Sequence, residues 1–300
     1  MATFTSAAYT WPAVSVSPTV AQLNAWVQAI IDTLAGCGCV QTADTGQLVP
    51  GSLPAWAVSW GYLVWRLNDS RQGADPIFFK LTLGRGGSNV AGVAYTMQFG
   101  QGSNGSGTLT GNLSTAITFG ATNNPRGSSL QAHGCHKDGA LFFGDGYGDD
   151  STAYNHRFAV SFERSRLANG TYDAQGGSFL YRGFGNYFRA FAWRYAGTPV
   201  NYTANNSYCL VPALPANTAR LNGDKQLYPH WYNLPDVRQR WSSFTVQKSE
   251  FTTNPTSFTA TAFNGETRTF MSWGASVGSA GAAGANATDN ANFVACTIWE

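Results

Sequence analysis

The strongest constraint on what this chain can fold into is the stretch from Gly61 to Gly84, GYLVWRLNDSRQGADPIFFKLTLG. Strand side chains alternate between faces, so Tyr62–Leu67 sets Leu63, Trp65 and Leu67 against Tyr62, Val64 and Arg66. This predicts a buried Leu63/Trp65/Leu67 face and a partly wet opposite face. Ile77–Leu83 repeats the pattern, with Ile77, Phe79, Leu81 and Leu83 opposite Phe78, Lys80 and Thr82. Between them, Asn68, Asp69, Ser70, Gln72, Gly73, Asp75 and Pro76 supply turn chemistry, because short polar side chains bond their own backbone and proline presets φ. The stretch is a hairpin, and nothing on it calls for catalysis.

The 43% apolar content is enough for a core, but charged residues make up only 11% of the chain, against roughly 25% in ordinary soluble proteins. Such a surface repels its copies weakly, which points to extensive burial against partner subunits. The net charge of +2 and the scattered arginines leave no footprint for nucleic acid. Five cysteines, Cys37, Cys39, Cys135, Cys209 and Cys296, form no even disulfide framework and read as reduced, buried thiols. The segment MATFTSAAYTWPA lacks the pattern of a secretory signal, and no apolar run is long enough to span a membrane, so synthesis in a cytoplasm is expected.

One helix is expected, over 17–35. Ser17 is its N-cap, Pro18 its first position and Gly36 its end, and Val20, Leu23, Val27, Ile30, Ile31 and Leu34 form its apolar face. The remainder reads as about a dozen short strands at sandwich-like spacing with no βαβ alternation. Asn104-Gly105, Asn169-Gly170, Asn222-Gly223 and Asn264-Gly265 mark turns. The expected architecture is all-β, a β-sandwich or jelly-roll-like domain with one N-terminal amphipathic helix. It spans 1–300 as a single elaborate unit, with a subdivision near 197–215 as the alternative. Gly274–Asn290 is nearly all small residues and reads as a loop that is mobile or ordered by assembly.

Candidate chemistry is thin. His133, Cys135 and His136 are the densest metal-type cluster but lack the spaced pairs of a zinc site, so structural histidines in a turn are the expectation. Asp145, Asp149 and Asp150 miss the calcium-loop spacing. The glycine runs at Gly84–Gly87 and Gly100–Gly107 do not open a helix, as a phosphate cradle requires. No nucleophile elbow exists; two convergent carboxylates would be needed for a polysaccharide-degrading enzyme. No enzyme activity, cofactor or metal is therefore expected. Trp193, Tyr195, Trp231, Tyr232 and Trp241 could form a subunit interface or stack on sugars, although sheets also bury large aromatics.

Several segments occur in a telling order. The helix is followed by Cys39-Val-Gln-Thr-Ala-Asp44-Thr-Gly46-Gln, then by Tyr62, Trp65, Arg66, Asn68 and Asp69 of the hairpin, then by Pro76-Ile-Phe-Phe-Lys80-Leu and Gly84. A glycine-rich run through Asn104-Gly105 to Gly111 completes it. In this the chain resembles virion structural proteins of tailed bacteriophages, grouped with tail, baseplate or fibre components. The resemblance covers about the first 111 residues and implies a non-catalytic role in a virion. Its expected partners are other copies of itself and other virion proteins, and a module binding a host-surface glycan at the tail tip is the alternative.

Overall fold

In a computed structural model, the described residues run from 2 to 137 with breaks at 14, 87–89, 115 and 120–128, then cover 139–145, 158–166 and a series of separate strands to 298. Side-chain surroundings are described up to Arg164. The elements in chain order begin with β1 (Ala2–Thr5), β2 (Tyr9–Thr10), α1 (Val20–Gly36), β3 (Val40–Gln41), β4 (Gly61–Arg66), β5 (Phe78–Arg85) and β6 (Val93–Gly100). They continue with β7 (Gly102–Ser103), β8 (Leu109–Thr110), β9 (Ile117–Phe119), β10 (Ser129–Leu130), β11 (Ala132–Lys137), β12 (Ala140–Asp145) and β13 (Phe158–Arg166). The last are β14 (Tyr172–Arg182), β15 (Phe188–Arg194), β16 (Cys209–Leu210), β17 (Tyr228–Leu234), β18 (Val237–Gln247), β19 (Ser257–Thr261), β20 (Thr267–Ser276) and β21 (Phe293–Ile298).

The protein is mostly β-sheet with a single described helix. Three larger sheets run β3-β4-β5-β6-β9, β1-β11-β12-β13-β14-β15 and β16-β17-β18-β21-β20-β19, and every paired neighbour is antiparallel. The hairpin register follows the alternation: Leu63 pairs with Leu81, which pairs with Met97, and Trp65 pairs with Phe79, which pairs with Phe99. That buried face meets the second sheet, where the Phe99 and Phe162 rings stack with centroids 4.7 Å apart. One apolar core joins α1, this five-stranded sheet and β11–β13. Val64, expected on the wet face, is buried because residues 42–48 cross over it, Thr42 N–H donating to its carbonyl and Gln47 accepting from its N–H.

The helix corrects the expected boundaries. Thr19, not Ser17, is the N-cap: its hydroxyl accepts from Gln22 N–H at 3.2 Å while Gln22 Oε1 accepts from Thr19 N–H at 3.0 Å, a reciprocal capping box. Gly36 stays helical with Phe4 packed against it, leaving no room for a side chain. Termination falls to Gly38 at φ +96°, where Gly38 N–H bonds Ala35 O and Cys39 N–H bonds Leu34 O, closing a Schellman motif. The buried stripe includes Trp26, Ala29 and Thr33, whereas Val20 is 68% exposed.

Short strands β1, β2, β7 and β8 lie outside the expected set, because two to four residues carry no periodicity of their own. His133, Cys135 and His136 lie in β11, not in a turn. Residues 169–170, 222–223, 264–265 and 277–290 fall outside the described residues.

Candidate functional site

The sequence-selected aromatics are partly brought together. Trp231 and Tyr232 lie on β17 and Trp241 on β18, strands that pair directly, with Trp231 opposite Arg240 and Tyr232 opposite Gln239. The ladder is irregular where residues 241–243 stand opposite His230. Trp193 lies in a different sheet, on β15 opposite Gly177, and Tyr195 is outside the described residues.

The tightest polar centre forms on Asp145, whose run of acids and glycines reads from sequence as a surface loop but which is buried. Asp145, at the end of β12, is 1% exposed and accepts from the Tyr9 hydroxyl, the Tyr95 hydroxyl and, at 2.8 Å, the Trp26 indole. Around it stand Trp11, Trp26, Trp56 and Trp60, with Trp11 and Trp26 edge to face at 5.0 Å and Trp26 stacked on Trp60 at 5.7 Å. A buried carboxylate is stable only where donors replace water, and three donors do so here. The tryptophans are spread along the chain with no common period, so no local pattern announces them.

A second carboxylate joins the hairpin to the other sheet. Asp69, read from sequence as a turn former, holds Arg164 of β13 through two bonds, Nε–Oδ2 at 2.6 Å and Nη2–Oδ1 at 2.9 Å, and Arg164 Nη1 donates to Asp75 O at 2.7 Å. Both side chains are essentially shut off from solvent. The neighbouring Cys39 thiol is pushed well above its ordinary value by its hydrogen bond with Cys37, by burial, and by the charges of Cys37 and Asp69. Cys37, Cys39 and Cys135 are buried thiols.

The third carboxylate organises the glycine-rich tip. Asp44 accepts from the Ser103 hydroxyl and, at 2.7 Å, from Gly107 N–H. Burial raises its pKa, but hydrogen bonds from Ser103, Thr42, Gly107 and its own backbone outweigh that and leave it below the usual carboxylate value. Gly107, at φ +81°, packs so tightly on Tyr62 that a side chain would collide with the ring. Lys80 donates to Gly107 O at 2.6 Å and lies 4.4 Å over the Tyr62 ring. The Asn104-Gly105 turn is wider than a two-residue hairpin: Asn104 Oδ1 accepts from Ser106 N–H and Thr108 N–H, closing a loop between β7 and β8.

Each of these carboxylates uses its lone pairs on internal donors. Among the described residues, no group of three His, Cys, Asp or Glu side chains is arranged to hold a metal ion. In particular His133 is buried, contacts the Thr5 hydroxyl at 3.0 Å, and is lowered by burial to a pKa of about 4. No described helix is long and apolar enough to cross a membrane. No family model, curated protein or solved structure matches this chain.

Proposed function

We propose that this chain is a non-enzymatic structural component of a bacteriophage virion, tail-associated, assembling with copies of itself and with other virion proteins. The observation that supports it most is the convergence of the segments carrying the resemblance. The Asp44 turn and the Asn104–Gly107 loop are fastened onto the β4–β5 hairpin of Tyr62, Trp65 and Lys80 by a common hydrogen-bond network. A rigid N-terminal scaffold carrying a larger β region suits a subunit that must keep its shape under assembly, and the 11% charged content favours association. In this reading the facing sheets at Phe99 and Phe162 form part of a β-sandwich of jelly-roll type. Quantitative proteomics of purified particles tests it: a fixed copy number in tail fractions is expected, and absence from intact particles removes it.

A second reading, a receptor- or carbohydrate-binding module at a tail tip, draws on the placement of Trp231, Tyr232 and Trp241 in one hairpin. Stacking on sugar faces needs aromatic residues on neighbouring strands, as Trp231 of β17 and Trp241 of β18 are. A glycan array in which a W231A/W241A chain binds as well as the parent removes it.

A further inference from the structure

The segment formed by β1, β2 and Trp11 behaves as an arm laid into a groove it does not own. Its ladder partners are β11 and β10, with Thr3 opposite Cys135, Thr5 opposite His133 and Thr10 opposite Ser129. Ser6 N–H donates to Ala132 O and Ser6 Oγ accepts from Ala132 N–H, both at 2.9 Å. Tyr9 donates to Asp145, and the Trp11 indole donates to Ala91 O at 2.9 Å. These docking residues lie far downstream: 128 positions separate Thr5 from His133 and 136 separate Tyr9 from Asp145.

The arm packs on α1 through Phe4 at Gly36 and Trp11 at Trp26, and is joined to it covalently through residues 12–18, where Val16 N–H to Ala13 O, at 3.0 Å, is the one backbone turn bond among the described residues. Pro12 and Pro18 bias both ends of this hinge towards extended backbone. Fully extended, it reaches about 24 Å. Every docking contact is chemically the same whether the arm comes from its own chain or from another copy. The closed and exchanged forms therefore differ only in the hinge and in the entropy of association, and subunits held side by side face each other at effective concentrations of about millimolar order.

We propose that this arm is exchanged between copies in the assembled protein, so that Tyr9 of one copy completes the Asp145 centre of a second. The proposal rests on the reading of the chain as a self-assembling virion subunit. Thr3 and Cys135 face each other in an antiparallel pair, a separation that a disulfide spans. The T3C chain, oxidised after assembly from mixed isotopically light and heavy subunits, is expected to give cross-linked peptides pairing light with heavy, and covalent species of at least twice the monomer mass on a non-reducing gel. T3C/C135S should lose them. The pair T10C/S129C, also directly opposite each other, repeats the test if T3C disturbs folding. Cross-links confined to single chains overturn arm exchange while leaving incorporation into particles standing; a chain absent from particles yet cross-linked between copies would overturn the virion reading instead.

Discussion

Asp145 and Asp44 are both buried carboxylates satisfied by internal donors, yet they hold together different things. Asp145 draws its donors from β2, α1 and β6, elements scattered through the first hundred residues, and sits among four tryptophans. Asp44 draws its described donors from its own turn and from the loop between β7 and β8, 59 and 63 residues downstream but at the rim of the same five-stranded sheet. Asp69 belongs with the first kind, since its Arg164 partner lies 95 residues away in another sheet. A carboxylate that ties helix and separate sheets together is part of the core, whereas one that ties a turn to a loop at the rim of one sheet fixes a surface shape.

The contrast can be broken experimentally. Asp69→Ala leaves the Arg164 guanidinium buried without its anion and should cost about 4 kcal/mol, read from urea unfolding. A loss below about 1 kcal/mol would mean that water reaches the pair and that the two sheets are not locked there.

Acid should act next most strongly. Burial holds His133 at about 4 against an ordinary 6.5, so the unfolded chain takes up its proton first as pH falls. The stability due to the neutral ring is therefore complete above about pH 6.5 and declines towards pH 4, by about 3 kcal/mol. Thermal melts of His133→Gln, which cannot titrate, should show a flatter slope over that window; an unchanged slope would move the effect to another group.

Asp145→Asn keeps one acceptor but sets an amide donor against Tyr9, Tyr95 or Trp26, at a cost of about 2 kcal/mol. Near-ultraviolet dichroism should change with it, because the tryptophan cluster is anchored there. Asp44→Ala should have the smallest global effect, about 1 kcal/mol. Its mark should be local: faster amide exchange at Gly107 and protease cutting near Asn104–Ser106. Global unfolding comparable to Asp145→Asn would erase the distinction between the two centres.

Much of the hairpin could be read beforehand, since its signal is a two-residue alternation that needs no knowledge of the rest of the chain. The helix was legible in type but less so in its ends and face. Thr33 was passed over because threonine reads as polar, but its hydroxyl bonds back to Ala29 O at 2.7 Å and so can be buried. Gly38 lost to Gly36 as terminator because a left-handed residue is chosen by the hydrogen bonds closing around it, not by glycine's presence alone.

The carboxylate centres were hidden for a related reason. Asp69 and Asp145 stand in runs rich in glycine and polar residues, which is how surface turns also look. Only the arrival of Arg164, Tyr9, Trp26 and Tyr95 turns them inward.

By itself, then, the sequence determined the β-rich class, the N-terminal helix and the inward faces of β4 and β5, because alternation and helical spacing are local physical demands. The tertiary structure decided where the arm of β1 and β2 docks, which carboxylates are buried and which tryptophans meet. Strands of two to four residues and lone charged groups have no preference of their own until a distant partner supplies hydrogen bonds and excludes water.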